Sequence, residues 1–177
     1  MKTNNDSNNR RPLNGRHILA SLVIMSFSAL ASAQDTNVTL SVDAKPALVL
    51  KAPAAAKVIS TNGFLRIQTA NLTLYVWAVP NAKTANDALP RAADIIKSEF
   101  LKFKTNAIMD MVIAGAPAKH VTGSGNEADD GDPGNAEVVF FVVGGRVFAG
   151  CVHGEADDAS KARAAMMAVL NTAQTPP

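Results

Sequence analysis

Cys151, His153 and Glu155 come closer to a chemical constellation than any other residues in this chain. Side chains repeat every second residue along a strand, so Cys151 and His153 share one face. A thiolate beside an imidazole can bind zinc or copper, and His120 would add a third ligand if its strand lay adjacent. A structural zinc site usually closes with four ligands, however. A nucleophilic cysteine needs a base within hydrogen-bond reach and donors for an oxyanion. Strand pairing sets Cys151 opposite Val138, which points it into a core. The reading is a buried free thiol beside a strand-end histidine. His120, Cys151 and His153 are only weak metal-ligand candidates. No catalytic set is visible, and no cofactor is implied.

Glu127, Asp129, Asp130 and Asp132 offer carboxylate oxygens. The calcium loop of twelve residues needs acids at alternate positions and a closing glutamate, which this spacing does not supply. A solvated acidic loop is expected. Gly123-Ser124-Gly125 lacks the lysine and following helix of a phosphate-cradling loop. Phe64, Arg66, Tyr75 and Trp77 make the best candidate recognition surface, because aromatic residues and arginine are enriched at binding hot spots. Met109, Met111, Met166 and Met167 read as fillers of core gaps.

The elements that position these residues follow from periodicity. Residues 64–68 and 72–79 form a hairpin around Ala70-Asn71. Its register sets Leu65 opposite Val76 and Ile67 opposite Leu74 on one apolar face. Phe64 then faces Trp77, and Arg66 faces Tyr75, on the other side. Pro80 ends that strand. Thr84 or Asn86 caps a helix that runs to about Phe103, with Leu89, Ala92, Ala93, Ile96, Phe100 and Phe103 on one stripe. Residues 106–114 alternate as a strand, 118–122 form a short strand, and 123–135 read as a loop. Residues 137–143 and 146–153 form the clearest hairpin, closed by Gly144-Gly145. Both faces of 138–143 are apolar, so this strand belongs in the middle of a sheet covered on both sides. Phe140 pairs with Ala149 and Phe141 with Phe148. Glu155, Asp157 and Asp158 open a last helix whose buried stripe is Ala159, Ala162, Met166, Val169 and Leu170. Residues 171–177 fray.

Residues 1–33 read as a cleaved secretory signal. Arg10, Arg11, Arg16 and His17 precede an apolar run, 18–30, and Ala31-Ser32-Ala33 supplies the small residues of a cleavage site. The run is too short for a membrane span of ~20 residues. Residues 34–56 are an N-terminal lead with edge strands, and 57–177 a single α/β domain. The net charge of the whole chain is +2. The leader holds Lys2, Arg10, Arg11 and Arg16 against Asp6, so the remainder is slightly acidic and implies no nucleic-acid or anionic-membrane partner. One cysteine excludes an internal disulfide. The location expected is periplasmic or secreted.

Several local features together resemble the PsbP-like superfamily. They are Ile113-Ala114-Gly115-Ala116-Pro117-Ala118 leading into a short strand, Asp130-Gly131-Asp132-Pro133, the strands 138–143 and 147–152 around Gly144-Gly145, and the helix 159–170. The resemblance spans roughly 57–172, and no Pro-x-x-Trp-like element stands near 46–53. It implies an α+β fold, an α/β/α sandwich of mainly antiparallel sheet flanked by two principal helices. It also implies a protein that binds partners or supports assemblies and is not an enzyme. The expected function is that of an exported, non-catalytic domain that binds a protein partner or supports an envelope assembly. The alternative is a periplasmic module for a small ligand or metal, with its pocket near His120, Cys151 and His153. A hydrolase or redox enzyme would have only Cys151 as its handle.

Overall fold

The apolar run 138–143 takes the place its two hydrophobic faces demand, inside a sheet packed on both sides. A computed structural model describes residues 34–97, 99–128, 131–154 and 156–177, with the side chains of 156–160 excluded. The leader, Asp129, Asp130 and Glu155 lie outside the described residues, and so do the signal reading and part of the acidic-loop reading. In order come β1 (Thr36–Val42), β2 (Lys45–Ala52), β3 (Lys57–Thr61), β4 (Phe64–Thr69) and β5 (Leu72–Ala78). Then follow α1 (Ala85–Ala88), α2 (Ala92–Ile96), β6 (Phe100–Ile113), β7 (Ala116–Glu127), β8 (Pro133–Val143), β9 (Arg146–Gly154) and α3 (Ala156–Leu170).

Seven strands form one sheet in the order β3-β4-β5-β9-β8-β7-β6, every neighbouring pair antiparallel. Both expected hairpins form in the expected register. Leu65 faces Val76 and Arg66 faces Tyr75. Phe140 faces Ala149, Phe141 faces Phe148 and Val138 faces Cys151. Gly144 and Gly145 close the second hairpin with φ of 56° and 74°, angles that L-residues with a Cβ resist.

The side chains of β8 feed two separate cores. Val139 and Phe141 join Leu65, Ile67, Val76 and the α3 residues Ala162, Met166, Val169 and Leu170 on one face. Val138 and Phe140 join Ala85, Ala88, Ala92, Ile96 and Phe100 on the other. The first face is also roofed by β1 and β2, which form a two-stranded sheet of their own, bridged from Ser41 to Asn62 between β3 and β4. Residues 34–52 are therefore not edge strands of the main sheet but a two-stranded cover. The tail that was expected to fray is tied to this cover. Val49 and Gln174 exchange backbone hydrogen bonds at 3.0 Å each, and the Lys51 N–H donates to Thr172 Oγ1 at 2.8 Å.

The structure corrects the expectation of an α/β/α sandwich with two principal helices. Among the described residues only α3, of 15 residues, is a substantial helix. On the opposite face α1 and α2 have 4 and 5 residues, joined by a 3₁₀ turn, Leu89–Arg91, that contains Pro90. Thr84 does cap α1, in a capping box with Asp87. The helix stops at Ile96, seven residues short of the expected end, and the sheet dominates the fold.

The physical reason lies in glycines read from sequence as loop. Gly123 and Gly125 belong to β7, which runs on to Glu127. A Cβ on Gly125 would lie 2.8 Å from Phe100 Cδ1, and one on Gly123 would lie 2.2 Å from Phe103 Cζ. The two rings lie on bare glycine backbone. That packing draws 100–103 into β6 and overrides the helical spacing of the same residues.

Candidate functional site

The candidate recognition residues lie on the face covered by α1 and α2. Phe64 and Arg66 come from β4, Tyr75 and Trp77 from β5. Cross-strand pairing puts all four on one side of the sheet. Tyr75 stacks on Trp77 at 5.7 Å between centroids and 12° between planes. Phe64 leans on Trp77 at 5.7 Å and on Tyr75 at 6.3 Å. All four side chains are half-buried, so the fold's own elements do not close over them. Burial, aided by the Glu99 charge, raises the Tyr75 phenol above its ordinary value, and Arg66 opposes that shift.

The row continues into His153. Its ring stacks on Tyr75 at 5.3 Å and 19° and meets Phe100 edge-on at 5.6 Å. Both ring nitrogens are shut off from solvent without a hydrogen-bond partner. Glu99 Oε2 stands 3.9 Å from Nε2, and Glu127 Oε1 stands 3.8 Å from Nδ1. These separations exceed hydrogen-bond length. One carboxylate thus faces each nitrogen across a short gap.

Cys151 is fully buried two residues earlier. Burial, followed by the charges of Glu99 and Glu137, pushes its thiol far above the ordinary range. The thiolate that a nucleophile or metal ligand requires is therefore suppressed at neutral pH.

His120 lies elsewhere. It is on β7, two strands from β9, and its side chain is on the α3 face. There its Nε2–H donates to Glu137 Oε2 at 3.0 Å. Arg163 of α3 grips the same carboxylate twice, at 2.7 Å through Nε and 2.6 Å through Nη2. Burial pushes the Glu137 carboxyl up, but the hydrogen bonds of His120 and Arg163, with the Arg163 charge, outweigh it and hold it below its usual value. His120, Cys151 and His153 thus do not converge. Among the described residues, no three of His, Cys, Asp and Glu gather into a metal-binding group.

The described residues of the acidic loop, at the end of β7 and just before β8, are tied to one another. The Glu127 N–H donates to Asp132 O at 2.8 Å, and Asn126 Nδ2 donates to Gly131 O at 2.9 Å. Met166 is fully buried, as a core filler should be, but Met109 is exposed.

Sequence reading missed Glu99, Glu137 and Arg163. Glu137 did leave a signal, an acid at a core-facing position of an apolar strand. Glu99 left none, because its place depends on the corner where α2 gives way to β6.

No protein-family model matches the chain, and no curated protein matches it either. Among solved structures, a Bacteroides thetaiotaomicron protein is similar at 12% identity and a TM-score of 0.50. The match covers 81% of this chain and 49% of that one, so the chain spans about half the length of that protein. LpqN of Mycobacterium tuberculosis, described as involved in cell envelope biogenesis, is similar at 17% identity and a TM-score of 0.46, over 81% of this chain and 91% of that one. PA94 of Pseudomonas aeruginosa, of unknown function, is similar at 14% identity and 0.42, over 66% and 83%. None of the three carries the PsbP-like name. The likeness to the Bacteroides protein concerns fold alone. Among the described residues no helix is long and apolar enough to cross a membrane.

Proposed function

We propose that this chain is an exported, non-catalytic domain that binds a protein partner in the cell envelope through Phe64, Arg66, Tyr75 and Trp77. One observation carries the reading. Three aromatic rings and a guanidinium lie side by side on one sheet face, each half-buried, so they are held rigid and still reachable. Rigid aromatic anchors beside arginine are the residues on which binding energy concentrates. The buried Cys151 thiol, held protonated, supports a non-catalytic role. The motif resemblance to the PsbP-like superfamily points the same way.

The test is partner capture from envelope extracts by the immobilised full-length protein, compared with Trp77→Ala and Tyr75→Ala. A partner retained by the wild type and released by both folded variants supports the reading. Equal retention by all three overturns it.

A second reading, a small-ligand module, is favoured by the two orphaned nitrogens of His153. That residue also borders a polar cavity of about 650 Å³ lined by Gln68, Asn71 and Thr73. A ligand there would raise the melting temperature of the wild type and not that of His153→Phe.

A further inference from the structure

Asn62 and Gly63 form the two-residue loop that joins β3 to β4, since Thr61 pairs with Phe64. An Asn-Gly pair carries a latent reaction of its own. The backbone nitrogen of the glycine can attack the side-chain amide carbon of the asparagine, because the glycine has no Cβ to obstruct the approach. The chain holds two such pairs, and the other, Asn14-Gly15, lies in the leader.

The surroundings of Asn62 permit this reaction sterically and restrain it chemically. Asn62 is exposed. Gly63 has φ of 75°, and a Cβ placed on it would meet nothing within 4 Å, so no neighbour crowds the turn. The attacking nitrogen, however, is engaged. The Gly63 N–H donates to Ser41 O of β1 at 2.7 Å, and Ser41 bridges to Asn62 itself. A backbone nitrogen must give up its proton to attack, and a short hydrogen bond to a carbonyl holds that proton in place. A second tie runs to the same strand, from Ser60 Oγ of β3 to Thr39 O at 2.9 Å. Both acceptors belong to the two-stranded cover and not to the seven-stranded sheet. The restraint on Asn62 therefore lasts only while β1 stays seated.

We propose that Asn62 is a site of spontaneous deamidation, held in check by the seating of β1 on the turn between β3 and β4. The Gly63 nitrogen bonds to Asn62 Cγ, and the bond from Cγ to Nδ2 breaks. Ammonia leaves, carrying the proton of the Gly63 N–H. Water then opens the five-membered imide at either carbonyl. One opening gives aspartate at this position, and the other gives isoaspartate, whose main chain runs through the side-chain carbon. The chain and water are the only reactants, and nothing is oxidised or reduced. The isoaspartyl form puts an extra main-chain atom into a turn of two residues, directly before Phe64 of the aromatic row. The reaction at Asn62 is independent of what that row binds.

The test follows the folded, full-length exported protein in mildly alkaline buffer at constant temperature. Mass spectrometry of the tryptic fragment 58–66 reads the conversion of amide to acid, and labelling by an isoaspartyl methyltransferase reads the isomer. A synthetic peptide of residues 58–66 gives the rate without the fold. The folded protein should react at least about tenfold more slowly than the peptide, because the reaction waits on local opening. Leu40→Ala empties a fully buried position on β1 and should raise the protein's rate by about tenfold or more. Ile96→Ala empties an equally buried position in the opposite core and should leave the rate within about twofold of the wild type. Ser60→Ala removes only the tie to Thr39 and should raise the rate by about threefold. Ser60 is exposed, so its variant keeps the fold and carries the comparison should Leu40→Ala not fold. Equal rates in protein and peptide, or an unreactive peptide, would overturn the proposal. So would Leu40→Ala and Ser60→Ala rates no higher than that of Ile96→Ala, since the seating of β1 would then not control the reaction.

Discussion

The two strand histidines His120 and His153 lie on opposite faces of one sheet, and each has carboxylates for neighbours. His120 bonds to Glu137, which Arg163 also clamps. His153 stands between Glu99 and Glu127 and bonds to neither. The contrast comes from where the carboxylates are mounted. Glu137 is on β8, the strand next to that of His120, so sheet geometry brings the groups to bonding distance. Glu99 is in the corner between α2 and β6, and Glu127 is the last residue of β7, two strands from β9, so neither is mounted on a strand next to that of His153. A histidine held by its own sheet is structural mortar. One ringed by groups from a corner and a turn is held by aromatic stacking and keeps its polar capacity unused.

The largest test removes the clamp. Arg163→Ala leaves the buried Glu137 with His120 alone. Breaking a buried ion pair on one side costs ~3–5 kcal/mol. Because the guanidinium is half-exposed, the loss in denaturant melts should fall near the low end, about 3 kcal/mol. His120→Phe should cost ~1–3 kcal/mol by depriving Glu137 of a donor. The same exchange at the other histidine should have the opposite sign. His153→Phe keeps the stacking on Tyr75 and Phe100 and removes two orphaned nitrogens, so stability should hold or rise by about 1 kcal/mol. Equal losses at the two positions would erase the distinction between them.

That distinction was only half legible in the sequence. Alternation and the Gly144-Gly145 turn gave both hairpins in their true register, because a slip by one residue would turn each apolar set to the wrong face. The position of 138–143 between two cores followed from the same patterning. Phe100 and Phe103 misled, since their spacing fits a helix as well as a strand. Only the glycines two strands' worth of chain later, beneath those rings, decide between them, and glycines in a polar stretch look like loop. Glu99 was lost with that error, and with it the surroundings of His153. The pairing of His120 was hidden for another reason: Arg163 reaches Glu137 across 26 residues of sequence, and no local pattern encodes such a contact.

The smallest test uses acid. The Glu137 carboxyl titrates below its unfolded value of 4.5. Its contribution to stability is therefore complete above that pH and is lost as pH falls through the lower, folded value. Wild-type stability should decline over that interval. Arg163→Ala should show a shallower decline, because most of what lowers the carboxyl has gone. In His153→Phe the part of the decline owed to Glu137 should persist, since that carboxylate is on the other face and makes no contact with the ring. Melts of the three proteins from neutral pH into the acid range measure this directly. An acid decline that flattens in His153→Phe and not in Arg163→Ala would overturn the assignment to Glu137.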